Sequence, residues 1–505
     1  MLHPLSTPWL PEDAAHLLNR AGFGATPERL AAWHALGREA AVEKLLAGAE
    51  SPALAPRPEW FSAEEYRREA IDYRDQQLAF QAAGQQGGPE AREARRVHQR
   101  RGRRRTLEAA GWWIDRMART EAPLVEKMTL FWHGHFATSD EKVRDPYLML
   151  QQNELFRREA LGSVVALAKA VSRDPAMMIY LDTDRSLRTK PNENFAREIM
   201  ELFTLGEGHY TEKDIKEAAR AFTGCRINRL LGRFFFHEAS WDSEEKELFG
   251  QRGRFNGDDV IDLIFQKPQC AAFLAGKLWE FFVSENPTPG QIETVASMLR
   301  ASHYEIAPVL RELFLSEAFY APENRRSLIK SPVQFLVQAR HVLELEELPP
   351  GLQLGALQQL GQSLFRPPNV AGWEGGRAWI NTNTLLARYN IGGYLAKGPA
   401  SGYKPAYAFG KPQEGKDRPL RDRRDRTLSR QAMAHAASLA PPDSRHNPAE
   451  VVRLLARRLY GTELTDAERR PFVDFLAKQE TQPVTDEALA NVLHLMMSTP
   501  QFQLC

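Results

Sequence analysis

The clearest structural signal in this chain lies at residues 190–224, which read KPNENFAREIMELFTLGEGHYTEKDIKEAARAFTG. The stretch predicts two helices joined by a glycine-bearing turn. The first would start near Asn192 and end at Gly206, because glycine readily takes the left-handed conformation that stops a helix. The second would start at Thr211, whose hydroxyl can cap free N–H groups, with Asp214 in its first turn.

The first of these helices has two distinct faces. At 100° per residue, one face is apolar and consists of Phe195, Ile199, Leu202 and Phe203. The opposite face carries an amide, a guanidinium and two carboxylates, which belong to Asn194, Arg197, Glu198 and Glu201. Two interpretations are open: a solvated face with an internal Glu–Arg network, which the spacing alone favours, or the polar wall of a cleft.

The sequence resembles a known bacterial family through motifs spread from residue 16 to residue 388. The motifs are PNENFAREIMELFTLGEGHYTE at 191–212, EAARAFTG at 217–224, HLLNRAGFGATPE at 16–28, EKMTLFWHGHFATS at 126–139, DPAMMIYLD at 174–182, KSPVQFLV at 330–337 and LFRPPNVAGWEGGRAWINTNTLLAR at 364–388. They resemble the family called "domain of unknown function 1800". The resemblance therefore implies membership of a family, but it does not imply any particular activity.

The composition is ordinary and excludes several classes of protein. Lys and Arg number 66 against 65 Asp and Glu, so no overall charge attracts nucleic acid or a membrane. No apolar run approaches the roughly 20 residues that a membrane helix needs. The three widely spaced cysteines predict neither a disulfide framework nor a cysteine-based zinc site. The N-terminus lacks the pattern of a signal peptide, so we expect a cytoplasmic protein unless a leader has been removed.

The pattern along the chain predicts a mainly α, multi-helix globular fold with one short β-hairpin and a long loop rich in Pro, Gly and Trp. Residues 1–397 would form the main helical domain, with the hairpin at about 232–257. Residues 398–447 are rich in Gly, Pro and charges of alternating sign, so they would form a linker. Residues 448–505 would form a small C-terminal helical unit.

An arginine-rich insertion is predicted at about 61–106. Eight arginines lie between Arg92 and Arg105, a density that could bind phosphate or RNA. However, few aromatic residues interleave with them, and Glu90 and Glu93 adjoin them. The pattern therefore favours a solvated helix or a flexible insertion, and nucleic-acid binding is not expected.

A candidate metal site is centred on His133 and His135, which flank Gly134 at the predicted end of a helix that starts at Pro123. Histidines two residues apart face the same side of an extended segment, so both rings could reach one ion if the glycine permits the turn. Either ring could equally form a hydrogen bond within the core. With the glutamates of the polar helix, the imidazoles would suit one divalent transition metal, Zn, Fe or Mn.

A second unusual region is FRPPNVAGWEGGRAWINT at 365–382. This loop could present Asn369, Trp373, Trp379 and Asn381 to a sugar or another polar ring, through stacking and hydrogen bonds. Equally, each tryptophan could fill core volume, and the loop would then be a structural plug.

These candidates lead to a first hypothesis, a metal-assisted enzyme that is hydrolytic or oxidative. Glu198 or Glu201 would bind the metal with the histidines, and the other glutamate would act as general base on a bound water. Arg197 or Tyr210 would steady a developing negative charge. Three further residues would bind the ligand: Asn192, Asn194 and His209.

The second hypothesis is a non-catalytic binding or assembly protein. Its recognition surface would be the polar helix and the Trp-rich loop. The resemblance implies a partner protein, because members of the family are often encoded beside a second family that resembles phosphatases and sulfatases.

Overall fold

Helices make up most of the chain that the computed structural model describes, which comprises residues 2–48, 56–345, 348–402, 437–479 and 483–505. The predicted mainly α fold is confirmed, since these residues contain 24 α-helices and two small antiparallel sheets. Most of the linker predicted at 398–447 lies outside the described residues.

The helices, numbered in chain order, are α1 (Pro11–Arg20), α2 (Pro27–Ala35), α3 (Arg38–Ala47), α4 (Ala63–Ala82), α5 (Pro89–Arg119), α6 (Pro123–His135), α7 (Asp140–Val143), α8 (Pro146–Arg158), α9 (Val164–Ser172), α10 (Pro175–Tyr180), α11 (Asn194–Glu201), α12 (Glu212–Ala221), α13 (Gly257–Phe265), α14 (Pro268–Phe282), α15 (Pro289–Ala301), α16 (Ile306–Leu315), α17 (Glu317–Tyr320), α18 (Pro332–Val342), α19 (Pro350–Leu360), α20 (Thr382–Lys397), α21 (Pro448–Tyr460), α22 (Asp466–Ala477), α23 (Asp486–Met497) and α24 (Pro500–Gln503).

The strands lie between α12 and α13. β1 (Cys225–Asn228) pairs with β2 (Arg233–Phe236), and β3 (Lys246–Leu248) pairs with β4 (Gln251–Gly253), both antiparallel. The sequence predicted one hairpin in this region, and the structure has two. The strands of the second hairpin have only three residues each, which is too short for an alternating pattern to be read.

The predicted helix pair forms, with a change at the end of its first helix. α12 begins as predicted, because the Thr211 hydroxyl accepts the Asp214 N–H at 3.2 Å and the Asp214 carboxylate accepts the Thr211 N–H at 2.9 Å. α11 ends at Glu201 rather than at Gly206. The chain leaves the helix early because the Gly206 N–H turns back to the Met200 carbonyl at 3.2 Å. Gly206 itself has the predicted left-handed backbone, with φ 80°.

Two clusters of buried apolar side chains form the interior. The first is built largely by α1–α3, α9 and α11–α17, and the second largely by α5 and α18–α24. α6 contributes Trp132 to the first cluster and Leu130 to the second, and α8 likewise contributes Phe156 and Leu148. These two helices therefore lie between the clusters, and α6 carries both candidate histidines.

The residues predicted as a C-terminal unit pack into the second cluster. His494 of α23 donates a hydrogen bond to the Tyr389 carbonyl of α20 at 2.9 Å. Leu504 forms an antiparallel bridge with Ile329. Residues 448–505 thus share a core with the helices before them, and whether they also fold on their own stays a prediction.

Candidate functional site

Three segments that the sequence singled out meet at the C-terminal end of α6. Gly372 of the Trp-rich loop packs on Gly134, so closely that a Cβ atom at Gly372 would lie 2.2 Å from the Gly134 carbonyl oxygen. The Trp373 and His133 rings lie 5.6 Å apart, centroid to centroid. On the other side of the helix, His135 hydrogen-bonds the chain two residues after α11 at 2.9 Å.

The two histidines do not face a common point. α6 continues through Gly134 to His135, beyond its predicted end, and residues two apart point to different sides of a helix. The extended conformation expected between the histidines is therefore wrong. The helix continues because the Phe136 N–H still donates to the Trp132 carbonyl at 2.8 Å and the Phe136 ring is fully buried in the first cluster.

His133 fastens α6 to the start of the Trp-rich loop. Its side chain is 1% exposed, and its Nε2 accepts the Phe365 backbone N–H at 3.1 Å. The rings of Trp113 and Phe365 stand edge-on to the imidazole at centroid distances of 5.2 and 5.5 Å. Burial lowers the pKa of His133 to about 3, so the ring is neutral at physiological pH.

His135 points toward the end of α11. Its Nε2–H donates to the Phe203 carbonyl at 2.9 Å, which leaves the lone pair on Nδ1. Burial lowers the pKa of His135 to about 4. Across the described parts of the chain, no group of three or more His, Cys, Asp or Glu side chains is placed to hold a metal ion. A metal bound by both histidines stays a prediction that their ring orientations do not support.

The polar face of α11 is organised by the turn that follows it. Arg197 donates two hydrogen bonds to the Glu212 carboxylate, at 2.8 and 3.0 Å, and this pairing raises the pKa of the guanidinium. The Tyr210 hydroxyl donates to the Glu201 carboxylate at 2.6 Å. Burial and this hydrogen bond raise the pKa of Tyr210. Both contacts hold the start of α12 against α11.

Glu198 differs from its neighbours on this face. The carboxylate is partly buried, yet it forms no hydrogen bond or ion pair with any residue that the structure describes. Burial raises the pKa of Glu198, the nearby Glu201 carboxylate raises it further, and Arg197 opposes both effects. A carboxyl whose pKa is raised by burial and by a like charge is a common feature of functional sites.

Sequence reasoning missed Tyr180, the last residue of α10. Burial raises the pKa of its phenol, and the charges of Glu198 and Glu141 raise it further, so both carboxylates act on Tyr180 electrostatically. Lys142 pairs with Asp182 at 2.7 Å in the same neighbourhood. The signal was present in the motif DPAMMIYLD, but its methionines indicated only core packing. We call Tyr180 and the four polar residues Arg197, Glu198, Glu201 and Tyr210 the acidic site.

Three of the nine described non-glycine residues with a left-handed backbone lie in these segments. Asp182, the ion-pair partner of Lys142, has φ 57°. Arg144 has φ 55°, and Phe365, whose backbone N–H donates to His133, has φ 61°. A non-glycine residue in this left-handed region costs about 1–2 kcal/mol. Such conformations persist where the surrounding structure enforces them, and they often occur at functional sites.

The predicted ligand-binding asparagines stabilise their own turns. The side-chain oxygens of Asn192 and Asn369 each accept the backbone N–H two residues further on, at 2.9 Å. Asn381 accepts the N–H three residues further on at 3.0 Å and so caps α20. Asn194 is exposed at the start of α11. Ligand binding by these amides stays a prediction.

The two predicted tryptophans differ in exposure. Trp379 is 8% exposed and belongs to the interior, which fits a structural plug, whereas Trp373 is only partly buried beside His133. His209 lies exposed in the turn between α11 and α12. The structure therefore brings Trp373 to the end of α6 and leaves His209 at the surface, and ligand binding by all three stays a prediction.

The contact between Gly372 and Gly134 can be tested by substitution. Gly372→Ala is expected to lower the free energy of unfolding by about 2–3 kcal/mol, because its φ is 78° and its Cβ would meet backbone that cannot move aside. Gly361→Ala is the matched control, since Gly361 has φ 90° but nothing within 4 Å of an added Cβ. Urea denaturation gives both values, and equal losses would show that the loop does not press on α6.

Comparison with known proteins gives the family. The model of the family described as "Protein of unknown function (DUF1800)" matches residues 16–504, so the chain belongs to this family, as the sequence motifs predicted. Neither the curated proteins nor the solved structures contain a match. None of the helices in the described parts of the chain has the length and apolar character required to cross a membrane.

Proposed function

We propose that this DUF1800 protein is a hydrolytic enzyme whose acidic site uses Glu198 to transfer a proton. The observation that supports this most directly is the state of the Glu198 carboxylate, which is partly buried, unpaired among the described residues and next to a second carboxylate. A general base works best when its pKa lies near the working pH. The raised pKa of Glu198 moves this carboxyl in that direction.

Each neighbour has a distinct role in this proposal. Glu201 accepts a hydrogen bond from the Tyr210 hydroxyl, which fixes its position, and its charge contributes to the raised pKa of Glu198. The Arg197 guanidinium already donates to the Glu212 carboxylate, and the Tyr210 hydroxyl already donates to the Glu201 carboxylate. Of the described side chains around Glu198, the Tyr180 phenol is therefore the better donor to a developing negative charge, since its hydroxyl makes no hydrogen bond to a described residue.

A divalent transition metal, Zn, Fe or Mn, would find its ligands in the same two glutamates. Carboxylate oxygens bind such ions directly, whereas His133 Nε2 accepts a backbone N–H and His135 Nε2 donates to a carbonyl. In this version Glu198 and Glu201 hold the ion, which would lower the pKa of a bound water. If activity depends on added metal, the metal-assisted version is favoured over catalysis by the carboxylates alone.

The test is a screen of the purified chain against carboxyl esters, phosphate esters, glycosides and peptides, with and without added divalent metal. Glu198→Gln is expected to reduce the activity found at least about 100-fold, because general base catalysis contributes that much or more. Glu207→Gln is the control, since Glu207 is exposed in the turn beyond the site and should leave activity unchanged.

The pH profile gives a second criterion. In wild type, activity should rise with pH as Glu198 loses its proton. Glu201→Gln removes the like charge that raises the pKa of Glu198, so the rising limb should move to lower pH. Activity that survives Glu198→Gln, or no activity toward any of the four substrate classes, would overturn the proposal. The acidic site would then be the recognition surface of a binding or assembly protein.

A further inference from the structure

The arginine-rich segment forms a two-helix arm outside both core clusters. The arm consists of α4 and of α5 as far as Arg105, which we call the α4–α5 arm. No residue of α4 is buried, and before Thr106 the only buried residue of α5 is Ala91. The arm is therefore not required to cover a core, and its surface composition is free to serve another purpose.

One side of α5 is used for packing on α4. Arg105 and Arg101 donate to the Glu69 carboxylate, at 2.9 and 3.3 Å. His98 stacks on Tyr73 with ring centroids 4.1 Å apart and planes 18° from parallel. These contacts fix which way α5 faces, so its remaining arginines lie on the side of the helix opposite α4. Arg95 on that side also donates to the Gln86 carbonyl, between α4 and α5, at 3.0 Å.

The other six arginines occupy one exposed side of α5. At 100° per residue they fall within half a turn, opposite the contacts with α4. Between the first and the last of them, the same side carries only one other charged residue, Glu93, and one amide, Gln99. The six, all exposed, are Arg92, Arg95, Arg96, Arg100, Arg103 and Arg104. We call this side the arginine face.

The charge of the arginine face is only partly neutralised. Glu93 lies 3.5 Å from Arg96 and also pairs with Arg100, and Glu108 lies 3.3 Å from Arg104. The remaining arginines have no carboxylate partner among the described residues, namely Arg92, Arg95 and Arg103. The arginine face thus has six positive charges and only two carboxylates that neutralise them. The six arginines extend over about 18 Å of helix, at 1.5 Å per residue.

We propose that the arginine face binds the phosphodiester backbone of nucleic acid without sequence preference. A protein partner bound through a standard interface would require apolar or aromatic residues at its centre, and a helix that inserts into a membrane surface would require an apolar side. The arginine face has neither. Phosphate binding requires only dense positive charge, and about 18 Å of helix spans about five phosphates of one strand at 3.4 Å each.

This inference reverses the expectation from the sequence. There, two features counted against nucleic acid: few aromatic residues interleave with the arginines, and Glu90 and Glu93 adjoin them. Aromatic residues serve base stacking, which a contact with the phosphodiester backbone does not need. In the structure, helical spacing places Glu90 outside the arginine face, and the contacts with Glu69 draw only Arg101 and Arg105 toward α4. The positive charge is therefore segregated on the exposed side, a pattern that a list of residues does not show.

The test measures binding of the full chain to a fluorescent 20-base-pair duplex by anisotropy, between 50 and 200 mM salt. The variant is Arg92→Gln/Arg96→Gln/Arg103→Gln, in which glutamine preserves helix propensity. The matched control, Arg158→Gln/Arg188→Gln/Arg470→Gln, removes the same charge from exposed positions elsewhere. Circular dichroism confirms that both are folded.

We expect wild type to bind at 50 mM salt and the arginine-face variant to bind at least 10-fold more weakly, with the control within about threefold of wild type. Each lost phosphate contact should reduce the slope of log K against log salt by about 0.9, so by about 2–3 in all. No binding at 50 mM salt, or equal losses in both variants, would overturn the proposal. Binding to phosphatidylserine vesicles without binding to the duplex would overturn it as well.

Discussion

Glu126→Ala is expected to lower the free energy of unfolding by about 3–5 kcal/mol, the largest loss that we anticipate from a single substitution in this chain. Glu126 lies on α6 and is completely buried. Its carboxylate accepts hydrogen bonds from Arg116 at 2.6 Å, from Arg157 at 3.0 Å and from Trp113 Nε1 at 2.8 Å. One carboxylate thus joins α5, α6 and α8.

The size of this effect follows from the charges that alanine would leave behind. Burial by itself raises the pKa of Glu126, but the guanidiniums of Arg157 and Arg116 outweigh it, so the pKa is lowered and the carboxylate is ionised. Without it, Arg157 would keep Glu154 as a partner, but both nearly buried guanidiniums would lose the carboxylate that lies between them. Removing one member of a buried ion pair costs far more than the pair contributes, because an uncompensated charge remains in a medium of low polarity.

The measurement is urea denaturation at pH 7, with Glu154→Ala as the matched control. Glu154 also pairs with Arg157, at 2.6 Å, but its side chain is 16% exposed and water can replace it. We expect Glu154→Ala to cost no more than about 1 kcal/mol. If the two variants lost the same stability, the carboxylate of Glu126 would not be the centre of this network.

Local signals in the sequence proved sufficient for elements that depend only on neighbouring residues. The start of α12 was predicted because Thr211 and Asp214 cap each other within one turn. The ends of α6 and α11 were not predicted. The end of α6 depends on a distant contact, since Phe136 is fixed by burial in the first cluster. The turn after α11 combines the local bond from the Gly206 N–H to the Met200 carbonyl with a distant one from His135 to the Phe203 carbonyl.

The candidate site shows the same limit. Helical spacing placed Arg197, Glu198 and Glu201 on one face, and that face exists. Spacing could not show that Arg197 would pair with Glu212 or that Tyr210 would hydrogen-bond Glu201. Both contacts depend on how the turn at 206–210 folds back. The same contacts leave Glu198 as the carboxylate without a partner among the described residues, and this is the property on which the proposed function depends.

Asp174→Asn is expected to change how stability depends on pH. Asp174 caps α10 from a position that is 4% exposed. Its Oδ1 accepts the Met177 N–H at 2.9 Å and a Gln152 side-chain N–H at 2.7 Å. Burial outweighs these hydrogen bonds and raises the pKa of Asp174 from 3.8 to about 7.

The sign of the effect follows from proton binding. Between pH 4 and pH 7 the folded protein keeps a proton on Asp174 that the unfolded chain has lost, so this residue destabilises the fold as pH rises. Ionisation above pH 7 places a charge in the core. At about 1.36 kcal/mol for each pH unit, the shift from 3.8 to about 7 corresponds to at most about 4 kcal/mol.

Asparagine caps a helix about as well as aspartate and does not titrate. Asp174→Asn should therefore match wild type within about 1 kcal/mol at pH 4.5 and exceed it at pH 8, by up to about 4 kcal/mol. Urea denaturation at four pH values between these limits gives the difference. In the reverse control, Asn447→Asp introduces a carboxylate at the exposed cap of α21, and this variant should follow the wild-type curve. Parallel curves for Asp174→Asn and wild type would mean that Asp174 is already ionised in the core at neutral pH, with Gln152 and the Met177 N–H sufficient to stabilise its charge.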